Sequence, residues 1–191
     1  RNLARYRKTC AHKIWSDFFG HARFDKLRMT RDTRNDCHTS LDSSVLSAQL
    51  DSMKAIRYHS YGPPEVLKIE EVEKPAVGEN DVLVKVRAVA LNPYDWHFMR
   101  GKPYFMRLMT GLFKPKSKGF GADFAGVVEA VGKNVAVFKP GDEVYGCKHG
   151  AFAEYLCAGE KSMALKPKNL SFERAAGVPM AALTALQALR D

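Results

Sequence analysis

The sequence predicts a mainly β protein with short helices, its strands arranged as a partly open barrel. Three observations carry this expectation. Val82, Val84, Val86, Ala88 and Ala90 alternate with Leu83, Lys85, Arg87 and Val89, the period-2 pattern of a half-buried strand. Turn residues return about every ten positions on either side of that strand, the spacing of short strands in a barrel or sandwich. Sustained helical composition appears only in "NLSFERAAGVPMAALTALQALRD", at the C-terminal end.

The chain opens on residues 1–52, which carry ten Lys or Arg against six Asp or Glu. "HKIWSDFFGHARFDKLRMTRDTRNDCHTS" mixes aromatics and charges with no sustained period, and "LDSSVLSAQLDS" is small and polar like a linker. A short helix over residues 14–27 would place Trp15, Phe18, Phe19 and Phe24 partly on one side. Composition changes abruptly at Met53. From there "MKAIRYHS" and "EVLKIEEVEKP" are expected to be strands around the turn "YGPP". Pro75 and the Gly78–Asn80 turn set the start of the alternating strand, and Pro93 ends it. "YDWHFMRG" is a short helix or turn closed by Gly101. "KPYFMRLMTGLFKPKSKG" is a basic, aromatic loop with one helical turn at most.

"KSKGFGADFAGVVEAVG" then begins like a dinucleotide loop, with Gly119 and Gly121, but Phe124 stands at the third glycine position. A phosphate loop needs a strand before it and a helix after it, because the helix N-terminus supplies free N–H groups. Here the glycines follow a loop and lead into an apolar, β-branched run. Gly121 and Gly126 are therefore expected to serve close backbone approach in a curved sheet. "KNVAVFKPGDEVYG" and "GAFAEYLCAG" follow as further strands. Ser171 is the expected N-cap of a first helix, with Glu173 in its first turn. Pro179 divides that helix from a second, "MAALTALQALRD", apolar enough to be buried against another layer.

The totals narrow the function classes. At 191 residues and 46% apolar, the chain has room for one packed domain and part of a second. No apolar run reaches the roughly 20 residues of a membrane span, and the first residues lack the apolar middle of a secretory signal. The first residue is Arg, which suggests an incomplete reading frame. Net charge is +9. It could mark nucleic acid, an anionic membrane or an anionic cofactor, but a solvated basic surface is the plainer reading. Cys10, Cys37, Cys147 and Cys157 form no C-x-x-C; His149 two residues after Cys147 makes only a weak C-x-H. Four free thiols fit a reducing, cytoplasmic setting.

"ALNPYDWHFMRG", "GADFAGVVEAVGKNVAVFKPGDEVYG", "GAFAEYL" and "AAGVPMAALTALQALRD" together resemble the medium-chain dehydrogenase/reductase superfamily. The likeness is to its N-terminal, GroES-like part and to the zinc-free quinone oxidoreductase and enone reductase branch. The resemblance covers residues 53–191: a GroES-like domain over 53–170, then 171–191 leading to a nucleotide-binding domain.

It implies the chemistry as well. Ala122 stands where zinc relatives carry a His ligand, and Asn92 where they carry a Cys; a methyl group cannot coordinate a cation. The four-cysteine structural zinc lobe is missing. Metal is expected to be absent, with hydride passing from NADPH, or NADH, to a small quinone or carbonyl acceptor. By resemblance, Asn92, Asp95 and Thr184 approach the cofactor, and His97 and Tyr104 sit where relatives place acceptor-side or cofactor-contacting tyrosines. All but Tyr104 also have a plainer role: strand-end or helix capping for Asn92 and Asp95, an ordinary packed or surface residue for His97, backbone bonding for Thr184. Asp123, in place of a family Glu, is expected to be structural.

The glycine-loop domain of the family should begin after Asp191. The expectation is thus a fragment, inactive alone, of a protein that could be a homo-oligomer and uses neither membrane nor nucleic acid. The alternative is a non-catalytic GroES-like module whose basic arm, residues 1–52, contacts RNA or a protein partner. The arm could also be non-native read-through.

Overall fold

A computed structural model describes residues 52–190. The basic arm, its expected helix and any RNA contact it makes lie outside them. Two antiparallel sheets form the frame. Strands β1 (Ser52–Arg57) and β2 (Lys68–Glu73) pair from Ser52↔Glu73 to Arg57↔Lys68. A single 3-10 turn, Pro64–Val66, lies between them. The larger sheet has the order β6-β3-β4-β5-β7. Its strands are β3 (Asp81–Ala90), β4 (Asp123–Val131), β5 (Glu143–Cys147), β6 (Tyr155–Gly159) and β7 (Met163–Leu165).

Isolated bridges Ala55↔Ala153 and Arg57↔Gly119 stitch the small sheet to the large one. Main-chain bonds Ile56 N–H to Phe152 O (2.7 Å) and Tyr58 N–H to Lys118 O (3.0 Å) reinforce the seam. The sheets remain open, as expected for a partly open barrel.

Alternation along β3 gives the core. Val82 and Val84 are fully buried and pack with Phe124, Val128, Phe138, Val144, Leu156 and Met163; burying each such side chain contributes about 1.5–3 kcal/mol. Leu83 is also buried, whereas Lys85 and Arg87 face solvent. The register of β3 on β4 slips between Leu83 and Val84 and again between Val86 and Ala88, bulges that bend the sheet. Gly126 pairs with Val86, and a Cβ there would lie 2.3 Å from the Lys85 carbonyl oxygen. The glycine is required by close approach, as the sequence suggested.

Two elements differ from expectation. Residues 133–138 form no strand although the last four, Val135 to Phe138, are apolar and include two β-branched residues. Glu160 explains this: its Oε1 accepts the N–H groups of Ala136 (3.2 Å) and Val137 (2.8 Å), so those donors are not left for a ladder. Strand β7 has only three residues and exists through its pairing with β5. The helices are α1 (Pro93–Arg100), α2 (Arg107–Thr110), α3 (Phe172–Ala176) and α4 (Pro179–Ala188). Ser171 caps α3 by accepting from Arg174 N–H (3.3 Å), and α3 packs on Ala88, Ala125 and Tyr145. Helix α4 buries only part of its surface, through Pro179, Met180 and Leu183, while Ala181, Ala182, Ala185 and Leu189 are exposed. No described helix is long and apolar enough to cross a membrane.

Candidate active site

Strand β3 ends at Ala90, and the chain turns into α1 at Pro93, whose fixed φ and missing N–H suit the first helical position. Asn92 is the N-cap, with extended φ −127°. The Asp95 carboxylate reaches back to accept the Asn92 N–H at 2.7 Å. Gly101, at φ 59°, closes the helix in the left-handed conformation.

This cap turns the Asn92 side chain toward β4. Its Nδ2 donates to Asp123 Oδ2 at 3.1 Å, and the same oxygen accepts the Met180 N–H at 3.0 Å. Met180 lies in the first turn of α4, where free N–H groups and the helix dipole favour a carboxylate. Asp123 therefore ties the end of β3, the start of β4 and the start of α4 together. It is fully buried, and Asp95 is 1% exposed. Burial pushes the Asp95 carboxyl up to about 6, the Asn92 N–H lowers it, and the nearby Asp123 charge raises it further. Burial likewise raises Asp123 above the usual carboxylate range, opposed by bonds from Met180 N–H, Cys147 and Asn92.

Beside this node, Ala122 and Cys147 pack with Tyr94, Ala164, Met180 and Leu183. These groups do not fit a zinc ion. The methyl of Ala122 offers no lone pair, the Asn92 amide is committed to Asp123, and no three His, Cys, Asp or Glu side chains converge among the described residues.

On the adjoining side of α1 a cleft of about 260 Å³ opens. Tyr58, Tyr94, Phe98, Met109, Thr110, Pro115, Lys116, Ser117 and His149 line it. Tyr94 and Phe98, four apart on α1, pack with their rings tilted by 31° and 4.1 Å between centroids and present one aromatic wall. Burial raises both phenols, Tyr58 to about 12 and Tyr94 higher, so both stay protonated at neutral pH.

The residues singled out from sequence fall into two groups. Asn92 and Asp95 meet at the Asp123 node. Thr184 lies one turn along α4 from Met180, and its hydroxyl donates to the Met180 carbonyl at 2.7 Å. His97 and Tyr104 do not line the cleft. His97 stacks on Trp96 at 4.1 Å and donates from Nδ1 to the Lys102 carbonyl at 2.8 Å. Tyr104 is 65% exposed, with the Arg107 guanidinium 5.0 Å from its ring. None of the nine residues that line the cleft was assigned a role from the sequence. Only His149 gave a signal, the weak C-x-H beside Cys147.

Comparison with known proteins places this geometry. Residues 78–168 match the family described as alcohol dehydrogenase GroES-like domain. A 2-methylene-furan-3-one reductase of Solanum lycopersicum is 37% identical over 183 residues, covering 90% of this chain and 46% of that protein. That alignment is longer than the stretch from Met53 to Asp191, so it reaches into the N-terminal arm. An NADPH-dependent alkenal/one oxidoreductase, chloroplastic, of Arabidopsis thaliana is 43% identical, covering 72% of this chain and 37% of that one. Among solved structures, the quinone oxidoreductase from Coxiella burnetii superposes with TM-score 0.66 at 36% identity, covering 72% of this chain and 44% of that one. The chain thus spans less than half the length of each of these proteins.

Proposed function

Because this chain belongs to the medium-chain dehydrogenase/reductase superfamily through its alcohol dehydrogenase GroES-like domain, we propose that it is the acceptor-binding part of a zinc-independent NADPH-linked reductase of quinones, enones or related carbonyls. The observation that carries the reading is the similarity to quinone and alkenal oxidoreductases over 72% of this chain, with the family match over residues 78–168 taking in Asn92, Asp95, Asp123 and most of the cleft. The apolar cluster around Ala122, in the place of a metal ligand, supports hydride chemistry without a Lewis acid. A quinone or enone needs none, since its conjugated carbonyl spreads the arriving charge onto oxygen.

In this reading the acceptor takes two electrons as a hydride from the nicotinamide, and one proton from solvent, to give a hydroquinone or a saturated ketone. The nicotinamide supplies the hydride when bound. This chain's residues bind and orient: the aromatic wall of Tyr94 and Phe98 holds a planar acceptor. Asp95 and Asp123 fix the Asn92 amide at the cofactor side, and Thr184 stands beside it on α4. His97, on α1, and Tyr104, in the turn that follows it, enter as acceptor-side groups only if cofactor binding draws the end of α1 and that turn over the acceptor. The relatives run to more than twice the length this chain spans, and in this reading the cofactor phosphates are held by that further length. The domain limits 53–170 and 171–191 belong to the same proposal.

The test is NADPH oxidation with 1,4-naphthoquinone. A protein joining this chain to the further length of its relatives is expected to exceed roughly 1 turnover per second, to hold no stoichiometric zinc and to survive chelation. The chain alone should fall well below that rate. Chelator-sensitive alcohol oxidation, or no quinone-dependent oxidation of NADPH, would overturn the reading.

A further inference from the structure

We propose that the cleft beside α1 is a binding site for a planar aromatic or conjugated carbonyl compound, with His149 donating the hydrogen bond that selects the carbonyl oxygen. The choice of a carbonyl ligand rests on the reductase reading above; the donor itself rests on geometry.

His149 is held firmly. The two residues flanking it are tied to the Gly121–Ala122 segment, Lys148 N–H to Ala122 O and Gly150 N–H to Gly121 O, each at 2.8 Å. Gly150 takes φ +88°, and a Cβ on Gly119 would lie 2.8 Å from the Gly150 Cα, so the loop is pressed against its neighbour. The imidazole is thereby wedged near Phe98 (5.9 Å) and Tyr94 (6.5 Å), the two rings of the aromatic wall.

So placed, the ring makes no hydrogen bond with any described residue, and its Nδ1 is enclosed without a partner. Buried polar atoms without partners are rare and costly, so the enclosed Nδ1 decides which nitrogen carries the proton. An enclosed nitrogen is tolerated better as a bare lone pair than as an orphan N–H. The single proton of the neutral ring therefore belongs on Nε2, the nitrogen that is not enclosed. Burial and the Lys148 charge both disfavour a second proton. The result is a neutral, fixed donor in a mostly apolar cleft. Thr110 is not such a group, since its hydroxyl is engaged by the Met106 carbonyl (3.1 Å) and Tyr61 (2.8 Å). Tyr58, Lys116 and Ser117 bring further donors to the lining, but His149 is the one held in place by main-chain bonds on both sides and facing Tyr94 and Phe98; aromatic walls with a fixed donor fit a flat molecule bearing a carbonyl at its edge.

Two isosteric probes separate the donor from the walls: 2-acetylnaphthalene, which carries a carbonyl, and 2-isopropylnaphthalene, which does not. Neither alkylates thiols. Each is titrated into the 191-residue chain labelled with 15N-histidine, following the imidazole nitrogens by NMR. The ketone is expected to bind about tenfold more tightly than the hydrocarbon and to shift Nε2 of His149. In His149→Phe the preference should vanish, with ketone affinity down about tenfold and hydrocarbon affinity within about twofold of the original. His149→Gln, which restores an N–H donor, should recover part of the preference. Unchanged hydrocarbon binding in His149→Phe shows that the cleft still folds. The inference is overturned if neither probe binds the unsubstituted chain, if the ketone preference survives His149→Phe, or if ketone and hydrocarbon bind alike from the start. Quinone-dependent NADPH oxidation decides the parent reading separately. Turnover that persists with no ketone preference sinks only the donor, while a ketone preference without turnover sinks only the reductase.

Discussion

Asp123 takes two donors on one carboxylate oxygen, Asn92 Nδ2 and Met180 N–H, so each donor offsets part of the cost of burying the charge. Asn92→Ala removes one of them and the cap of α1 together. It should destabilise by about 1–3 kcal/mol, read as a lower urea midpoint. Asn92→Asp keeps a capping side chain yet sets another carboxylate beside the buried one. It is expected to be worse than Asn92→Ala at pH 7 and to recover toward it at pH 5, as protonation relieves the repulsion. If the two variants track each other with pH, the amide is not the partner of Asp123. Thr184 gives the opposite case. Its hydroxyl bonds back to its own helix and is solvent-facing, so Thr184→Val should change stability by no more than about 0.5 kcal/mol. A raised KM for NADPH in the joined protein, at unchanged stability, would then report a contact with the cofactor. An unchanged KM would leave Thr184 as a helix residue.

At the scale of elements, Gly126 shows how one position fixes a strand pair. A methyl group there would meet the Lys85 carbonyl at 2.3 Å and the Val84 side chain at 2.8 Å. Gly126→Ala must push β3 and β4 apart at the centre of the core, for an expected loss of about 1–3 kcal/mol. Equal urea midpoints for Gly126→Ala and the unsubstituted chain would show that the bulged sheet yields freely. Elements with local signals were legible in the sequence. The alternation of β3, the Pro93 and Gly101 that bracket α1, the Ser171 cap and the break at Pro179 all act within a few residues. Elements defined by distant partners were not. Residues 133–138 look like a strand until Glu160, over twenty positions away in sequence, takes their N–H groups, and β7 is a strand only because β5 lies beside it. The site divides the same way. The Asn92–Asp95 cap is local, whereas His149 meets Tyr94 and Phe98 only after the Gly119–Ala122 and Lys148–Gly150 segments close on each other.

For the whole molecule these buried groups set the dependence of stability on pH, and they act in opposite directions. Asp95 titrates near 6 when folded against an ordinary value of 3.8. Below 3.8 it is protonated in both states and contributes nothing. Between 3.8 and about 6 the unfolded chain ionises while the folded one stays neutral, so stability falls as pH rises, and the full cost remains above 6. Asp123, facing the same node with Tyr58, Tyr94 and Cys147 nearby, adds in the same sense. His149 is neutral in both states above 6.5; below that value the unfolded chain takes up a proton that burial and Lys148 deny the folded one, so stability falls as pH falls. Comparing variants with the unsubstituted chain cancels the other titrating groups. Between pH 7 and pH 5, Asp95→Asn, which keeps an acceptor for the Asn92 N–H, should lose the gain that acid gives Asp95. Its Tm should therefore fall relative to the unsubstituted chain over that interval. His149→Phe should show the reverse, its Tm rising relative to the unsubstituted chain as pH drops from 7 to 5. Parallel Tm curves for all three proteins would mean that neither side chain keeps its buried, neutral form, and that the node and the cleft are open to water.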